Sequence, residues 1–231
     1  MDHGEHYSYP SFDAALVRAI EILQPKTILD IGAGDGKVGK VLRTSPLIKD
    51  ACIIALEPDS ECNPRLKAAG YDEVINEMTG YLYDHPDGKY DVIILGDVIE
   101  HLKHSDGRDL IEFLSYRCGY MFIITPDCMP MLADRFHIGH NSFWRPNAFD
   151  WCDLWAHARY RVLYFYILRG FQNWGITPLW SLTNQMNAEQ ITVCQFDDNY
   201  AADVLNLHFH SNLTSDVIAG DAVNSTVYRP L

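Results

Sequence analysis

Basic residues are scarce in this 231-residue chain: 18 lysines and arginines face 31 aspartates and glutamates, a formal net charge of -13 at pH 7. A polyanion held through its phosphates would meet long-range repulsion, so nucleic acid is disfavoured as a partner. The only basic clusters, "HARYR" and "LRG", lie near residues 157 to 170. Long apolar runs are also missing. No stretch approaches the ~20 residues that a membrane crossing needs, and "MDHGEHYSYP" at the start holds no apolar segment of signal-peptide length. These absences predict a cytoplasmic protein with no membrane partner. The six cysteines (Cys52, Cys62, Cys118, Cys128, Cys152, Cys194) include no C-x-x-C pair, which argues against a disulfide framework and a cysteine zinc site.

What is present is a large apolar share, 48% of the chain, enough for the core of one α/β domain. From Ser11, the residues Phe12, Ala15, Leu16, Ala19, Ile20 and Leu23 recur at helical spacing, with Ser11 placed to cap the helix and Pro25 to end it. Seven strands are predicted after it: "TILDI", "ACIIALE", "DEVIN", "YDVIIL", "YMFIIT", "RVLYFYIL" and "ITVCQF". Helical stretches follow the first, second and fourth of these, and a further helix is predicted around "NAFDWCDLWAHAR". Strand, turn, helix, strand repeated in this way predicts an α/β fold, a doubly wound, Rossmann-like, mostly parallel seven-stranded sheet with helices on both faces. The domain is expected to span residues 1–196, with an irregular insertion at about 126–150, and residues 197–231 to form an acidic, partly ordered tail.

The stretch "ILDIGAGDGKVGK", residues 28 to 40, places a glycine-rich turn after the first strand, where parallel sheets bind ligands. Glycines at 32, 34 and 36 let backbone approach a ligand closely and adopt positive φ. Glu57 ends the second strand 21 residues after Gly36, near the ~20-residue offset at which a carboxylate takes ribose hydroxyls. Read from Gly34, the turn has dinucleotide spacing, which would suit an NAD-dependent oxidoreductase. That reading leaves Asp30 unexplained, because a carboxylate at the strand's end would repel a pyrophosphate. No Tyr-x-x-x-Lys set accompanies it either. Lys37 and Lys40 read as solvated helix positions.

At this point the chain resembles the class I S-adenosylmethionine-dependent methyltransferases, over about residues 25 to 196. "TILDIGAGDG" is similar to their first motif, "IIALEPD" to their second and "YDVIILGDVIEHL" to their fourth, with the Asp-Val-Ile-Glu-His string found in the small-molecule, ubiquinone-biosynthesis type. The resemblance implies S-adenosylmethionine as cofactor and S-adenosylhomocysteine as product. It implies that Asp30, Gly32, Ala33 and Gly34 line the methionyl part, with Asp30 reaching the ammonium directly or through water. Glu57, with Pro58 beside it, would accept from the ribose hydroxyls. Asn76, Glu77 and Met78 are the candidates for adenine, and Gly96 and Asp97 would sit beside the methionine moiety of the cofactor and face the methyl acceptor. "LGDVIEH" lacks the (Asn/Asp)-Pro-Pro-(Tyr/Phe) motif of base and glutamine methylation, so the expected acceptor is a small molecule methylated at oxygen or nitrogen.

Such a displacement needs a positioned nucleophile and, for a hydroxyl, a base. His101 in "IEHL" and His140 in "FHIGHNSFW" are the catalytic candidates; the alternatives are that Glu100-His101 only orders its loop and that His140 only makes local hydrogen bonds. His137 and His140 lack an evident third ligand, so no metal is expected. All five tryptophans lie between residues 144 and 180. Trp151 and Trp155, four apart, read as the buried face of a helix, while Phe143 and Trp144 are pocket candidates. A non-catalytic, cofactor-binding subunit is the remaining alternative. A monomer or homodimer is expected.

Overall fold

The structure, a computed structural model, describes residues 9–127, 139–172, 177–194 and 201–213. Helix α1 (Asp13–Leu23) buries Ala15, Leu16, Ala19 and Ile20, as the spacing predicts, and ends at Gln24 in the left-handed region before Pro25. Its cap position is Phe12, not Ser11; the buried Ser11 hydroxyl has no hydrogen-bond partner among the described residues.

The chain then alternates: β1 (Thr27–Ile31), α2 (Lys37–Leu42), β2 (Cys52–Leu56), α3 (Asn63–Ala68), β3 (Glu73–Ile75), α4 (Gly80–Asp84), β4 (Tyr90–Gly96), α5 (His104–Ser115) and β5 (Cys118–Pro126). β1, β2, β3, β4 and β5 pair in parallel, in the spatial order β5-β4-β1-β2-β3. Successive strand residues serve opposite faces. Ile28, Val92, Ile94 and Phe122 pack with Leu16, Ile20, Leu42 and Leu66 on one side. Leu29, Ile93, Leu95 and Ile123 pack with Leu82, Leu110, Ile111 and Leu114 on the other. The doubly wound, Rossmann-like architecture is therefore as expected. β1 has β2 on one side and β4 on the other, so the winding reverses there and opens a crevice outside the carboxyl ends of β1 and β4.

The antiparallel edge differs from the sequence-based expectation. The predicted helix around residues 147 to 159 is a short 3-10 turn, Pro146–Phe149, followed by β6 (Leu154–Tyr160). β6 pairs antiparallel with β7 (Leu163–Arg169), and β7 with β5. The four-residue spacing of Trp151 and Trp155 thus comes from a turn and a strand. After α6 (Leu179–Ala188), "ITVCQF" supplies only β8 (Thr192–Val193), paired with β9 (Asp203–Val204) in a separate two-stranded sheet. β10 (His208–Ser211) adds to the outer edge of β6, so the main sheet has eight strands instead of seven and extends past residue 196. The pairs β5–β7, β7–β6 and β6–β10 are antiparallel; of these only β6 and β7 are joined by a tight turn, at residues 161–162. His137, Cys128, Trp174 and the tail from residue 214 lie outside the described residues. No helix among the described residues is long and apolar enough to cross a membrane.

Candidate active site

The turn after β1 takes the backbone path that its glycines permit: φ is +70° at Gly32, +51° at Gly34 and +80° at Gly36. A Cβ on Gly32 would sit 2.6 Å from Val98 Cγ2, so the turn packs directly on the segment after β4. Asp30 lies beneath this turn, with a side chain only 1% exposed. Its carboxylate accepts a short hydrogen bond from the Tyr71 hydroxyl, and the Tyr71 oxygen in turn accepts the Gly39 N–H at 3.0 Å. Burial pushes the Asp30 carboxyl up to about 7, with the Glu57 charge adding to the rise and the Tyr71 hydrogen bond opposing it.

Glu57 ties the turn to the end of β2. Its Oε2 accepts the Gly34 N–H at 2.8 Å and its Oε1 the Asp59 N–H at 3.0 Å. Asn76 donates to the Glu57 carbonyl at 2.9 Å and pairs with Asn63. Pro58, Glu77 and Met78 stand exposed around this end. On the other side of β1, at the end of β4, a Cβ on Gly96 would meet nothing within 4 Å, and Asp97 holds a positive φ of 54°. The structure thus brings Asp30, Gly32, Ala33, Gly34, Glu57, Gly96 and Asp97 to adjacent strand ends. Carboxylates dominate the rim, and Lys37 is drawn off to Asp13 at 2.7 Å and the Tyr9 carbonyl at 2.6 Å. This rim suits a cationic ligand group and disfavours a pyrophosphate.

Past Gly96 and Asp97, the 3-10 turn Ile99–His101 carries the first catalytic candidate. The segment around His140 is laced onto it. The N–H groups of Asn141 and Ser142 donate to the Glu100 carbonyl at 2.6 and 3.1 Å, and the Asn141 amide donates to the His101 carbonyl at 2.8 Å. Trp144 completes the anchor: its indole N–H donates to the Ile99 carbonyl at 3.0 Å and Ser142 Oγ at 2.8 Å. Trp144 is buried and stacks on His104, so it pins the loop instead of walling a pocket; Phe143 is exposed beside Arg145. The His101 and His140 rings meet edge-on, 5.1 Å apart. Glu100 is fully buried beneath them, and one of its oxygens accepts the Thr125 hydroxyl at 3.0 Å. Burial, with the Asp97 charge adding to it, pushes the Glu100 carboxyl up to about 8.

With this geometry in view, comparison with known proteins is decisive. Residues 5–174, nearly three quarters of the chain, match the family described as a methyltransferase domain. The chain belongs to that family. Its methyl donor is S-adenosylmethionine, and the methyltransferase is an enzyme of that class. No curated protein matches the chain. Among solved structures it is similar to the methyltransferase domain of bacterial CtHen1-CN, with a TM-score of 0.53 and 14% identity over 69% of this chain and 98% of that one. A SAM-dependent methyltransferase from Archaeoglobus fulgidus gives 0.53 and 15% over 68% and 92%. The plantazolicin methyltransferase BpumL, solved in complex with SAH, gives 0.51 and 12% over 69% and 82%. At these identities the likeness concerns the fold.

Two residues of the candidate site escape sequence reasoning. Tyr71 carries no motif, and its partner Asp30 is 41 residues away. Glu100 reads in sequence as a loop-ordering residue, yet the fold gathers it with both histidines: one ligand atom each from Glu100, His101 and His140 lies within 4.8 Å of the others. His137 lies outside the described residues, and the group that forms around His140 draws its other two members, Glu100 and His101, from the strand-four turn. The adjacent Glu-His pair just past a buried strand is the one signal that could have shown it.

Proposed function

We propose that this methyltransferase moves the methyl group of S-adenosylmethionine to an oxygen or nitrogen nucleophile of a small molecule by in-line displacement. The observation that carries the reading is the convergence of His101 and His140 next to Gly96 and Asp97, at the edge of the crevice. When bound, the cofactor supplies a methyl carbon activated by its sulfonium. Asp30, Gly32, Ala33 and Gly34 would hold its methionyl end, Glu57 and Pro58 its ribose, and Asn76, Glu77 and Met78 its adenine. The open space at Gly96, the exposed backbone of Gly32 and the acidic rim fit a cofactor carrying an ammonium and a sulfonium and no phosphate. The imidazoles orient the nucleophile and receive its proton as the new bond to carbon forms and the carbon–sulfur bond breaks. The net charge of -13 favours a small acceptor over a nucleic acid.

The test is release of S-adenosylhomocysteine across a panel of small hydroxyl and amine acceptors, run beside calorimetric titrations with S-adenosylhomocysteine and NAD. Binding of the thioether with turnover on a panel member supports the reading. Binding without turnover on any acceptor supports a non-catalytic subunit, and NAD binding in place of the thioether returns the dinucleotide reading. His140→Ala is expected to keep thioether affinity and slow transfer by about 10²–10⁴.

A further inference from the structure

Glu100 poses a question that methyl transfer alone leaves open. Its side chain is fully buried, Oε2 is satisfied by Thr125, and Oε1 has no hydrogen-bond partner among the described residues. A buried carboxylate oxygen without a donor is costly, and native structures rarely keep one without a use. This one belongs to a residue whose ligand atom, with one imidazole nitrogen each from His101 and His140, falls within a 4.8 Å group. Two separate segments are hydrogen-bonded together to make that group: the turn after β4 and the loop at 140 to 144. Asp97 stands close enough to act on Glu100 electrostatically and deepens the negative potential there.

We propose that Glu100, His101 and His140 form a three-ligand site for a divalent transition-metal cation. Two imidazoles and one carboxylate suit Zn²⁺, Mn²⁺, Fe²⁺ or Co²⁺, whereas Mg²⁺ and Ca²⁺ prefer all-oxygen sites. Bonds of about 2.1 Å would set the ligand atoms about 3.0–3.5 Å apart. Small rotations of the exposed His101 and half-buried His140 rings close that gap, while Thr125 holds Glu100 in place. Three protein ligands leave positions open, the mark of a cation that works on a substrate. There it would take an acceptor hydroxyl, lower its pKa and orient its oxygen toward the crevice. The proton passes to water, and the oxygen's electron pair forms the bond to the methyl carbon as the carbon–sulfur bond breaks and its electron pair stays on sulfur, giving S-adenosylhomocysteine. The imidazoles then act through the cation. That role in transfer rests on the reading above; the cation site does not.

The test uses the full chain, freed of metal with EDTA and titrated with Co²⁺ with and without S-adenosylhomocysteine. Visible d–d absorption is expected to saturate at one Co²⁺ per chain. Glu100→Gln and His140→Ala are each expected to weaken binding about 100-fold or more, since even residues behind a metal's ligands contribute 10–100-fold. His208→Gln, in the histidine group at the opposite sheet edge, should leave it unchanged. No stoichiometric binding, or binding that survives both Glu100→Gln and His140→Ala, overturns the site. Thioether affinity measured on the same samples reports folding and cofactor binding separately. Its loss in the parent chain would strike the methyl-transfer reading and leave the cation result standing by itself.

Discussion

Replacing Asp30 by Asn tests the electrostatics of the site from beneath. The amide keeps an oxygen for the Tyr71 hydroxyl to donate to and removes the ionisation. The Asp30 carboxyl ordinarily titrates at 3.8 and stands at about 7 in the fold. The folded chain therefore holds this proton more tightly than the unfolded one. Stability is greatest below the unfolded value, falls as pH rises from about 4, and levels off above about 7. A displacement of about three units, at about 1.4 kcal/mol each, costs about 4 kcal/mol in full. Between pH 5 and pH 8 the parent should lose about 2.6 kcal/mol that the variant keeps. For a chain of this size that is about 5–10 °C of Tm. The assay is thermal unfolding of both proteins by circular dichroism at pH 5, 6, 7 and 8, read as the difference between them. Every other titrating group, Glu100 included, is common to both and cancels, as does any fixed cost of the new amide. A difference that stays constant across the range would mean that Asp30 titrates normally, and the reasoning from burial would fail. Cofactor binding is expected to move the opposite way. Affinity of the parent for S-adenosylhomocysteine should drop by up to about tenfold per pH unit below 7, while Asp30→Asn binds weakly and without a pH slope.

Tyr71→Phe removes the donor to the buried Asp30 carboxylate and the acceptor of the Gly39 N–H; a loss of about 1–3 kcal/mol in denaturant unfolding is expected, larger at pH 8 than at pH 5. Gly32→Ala meets both a positive φ and Val98 Cγ2, so it should cost about 1–3 kcal/mol and, by displacing the turn, abolish thioether binding in calorimetry. Trp144→Phe deletes the indole donor to Ile99 and Ser142; transfer should fall while thioether affinity stays, with about 1–3 kcal/mol of stability lost in urea melts.

The parallel half of the fold was legible because its strands are near-continuous apolar runs bounded by glycine and proline, and because both faces of such strands are buried. The antiparallel edge was not. Trp151 and Trp155 match a helical period by coincidence, while the alternation that marks β6, with Trp155 toward His157 and Ala156 and Ala158 on the other face, is masked by the aromatic crowd around it. β10 is four residues, "HFHS", with no pattern of its own; its pairing with Leu154 to His157 is what makes it a strand. The same division runs through the site. Asp30, Gly32, Gly34 and Glu57 sit at strand ends whose positions follow from the sheet. The Asp30–Tyr71 bond and the Glu100–His140 approach depend on contacts about 40 residues apart, which no local period carries.

That division runs between the two proposed halves of the site. The proposed cofactor end is built from turns that the sheet itself positions, and it is clamped internally by Glu57 and Tyr71. The proposed acceptor end depends on one loop, held to the turn after β4 by the Asn141, Ser142 and Trp144 hydrogen bonds. Loops on a rigid scaffold can change without disturbing the core. Changes at the loop anchors should therefore alter which acceptor is used, and how fast, without altering cofactor affinity. Changes beneath the glycine turn should do the reverse. Val98 links the two ends: it underlies Gly32 and precedes the turn that carries Glu100 and His101. On the proposed function, a cofactor that settles the glycine turn would bear on Val98, and through it on the turn that carries Glu100 and His101.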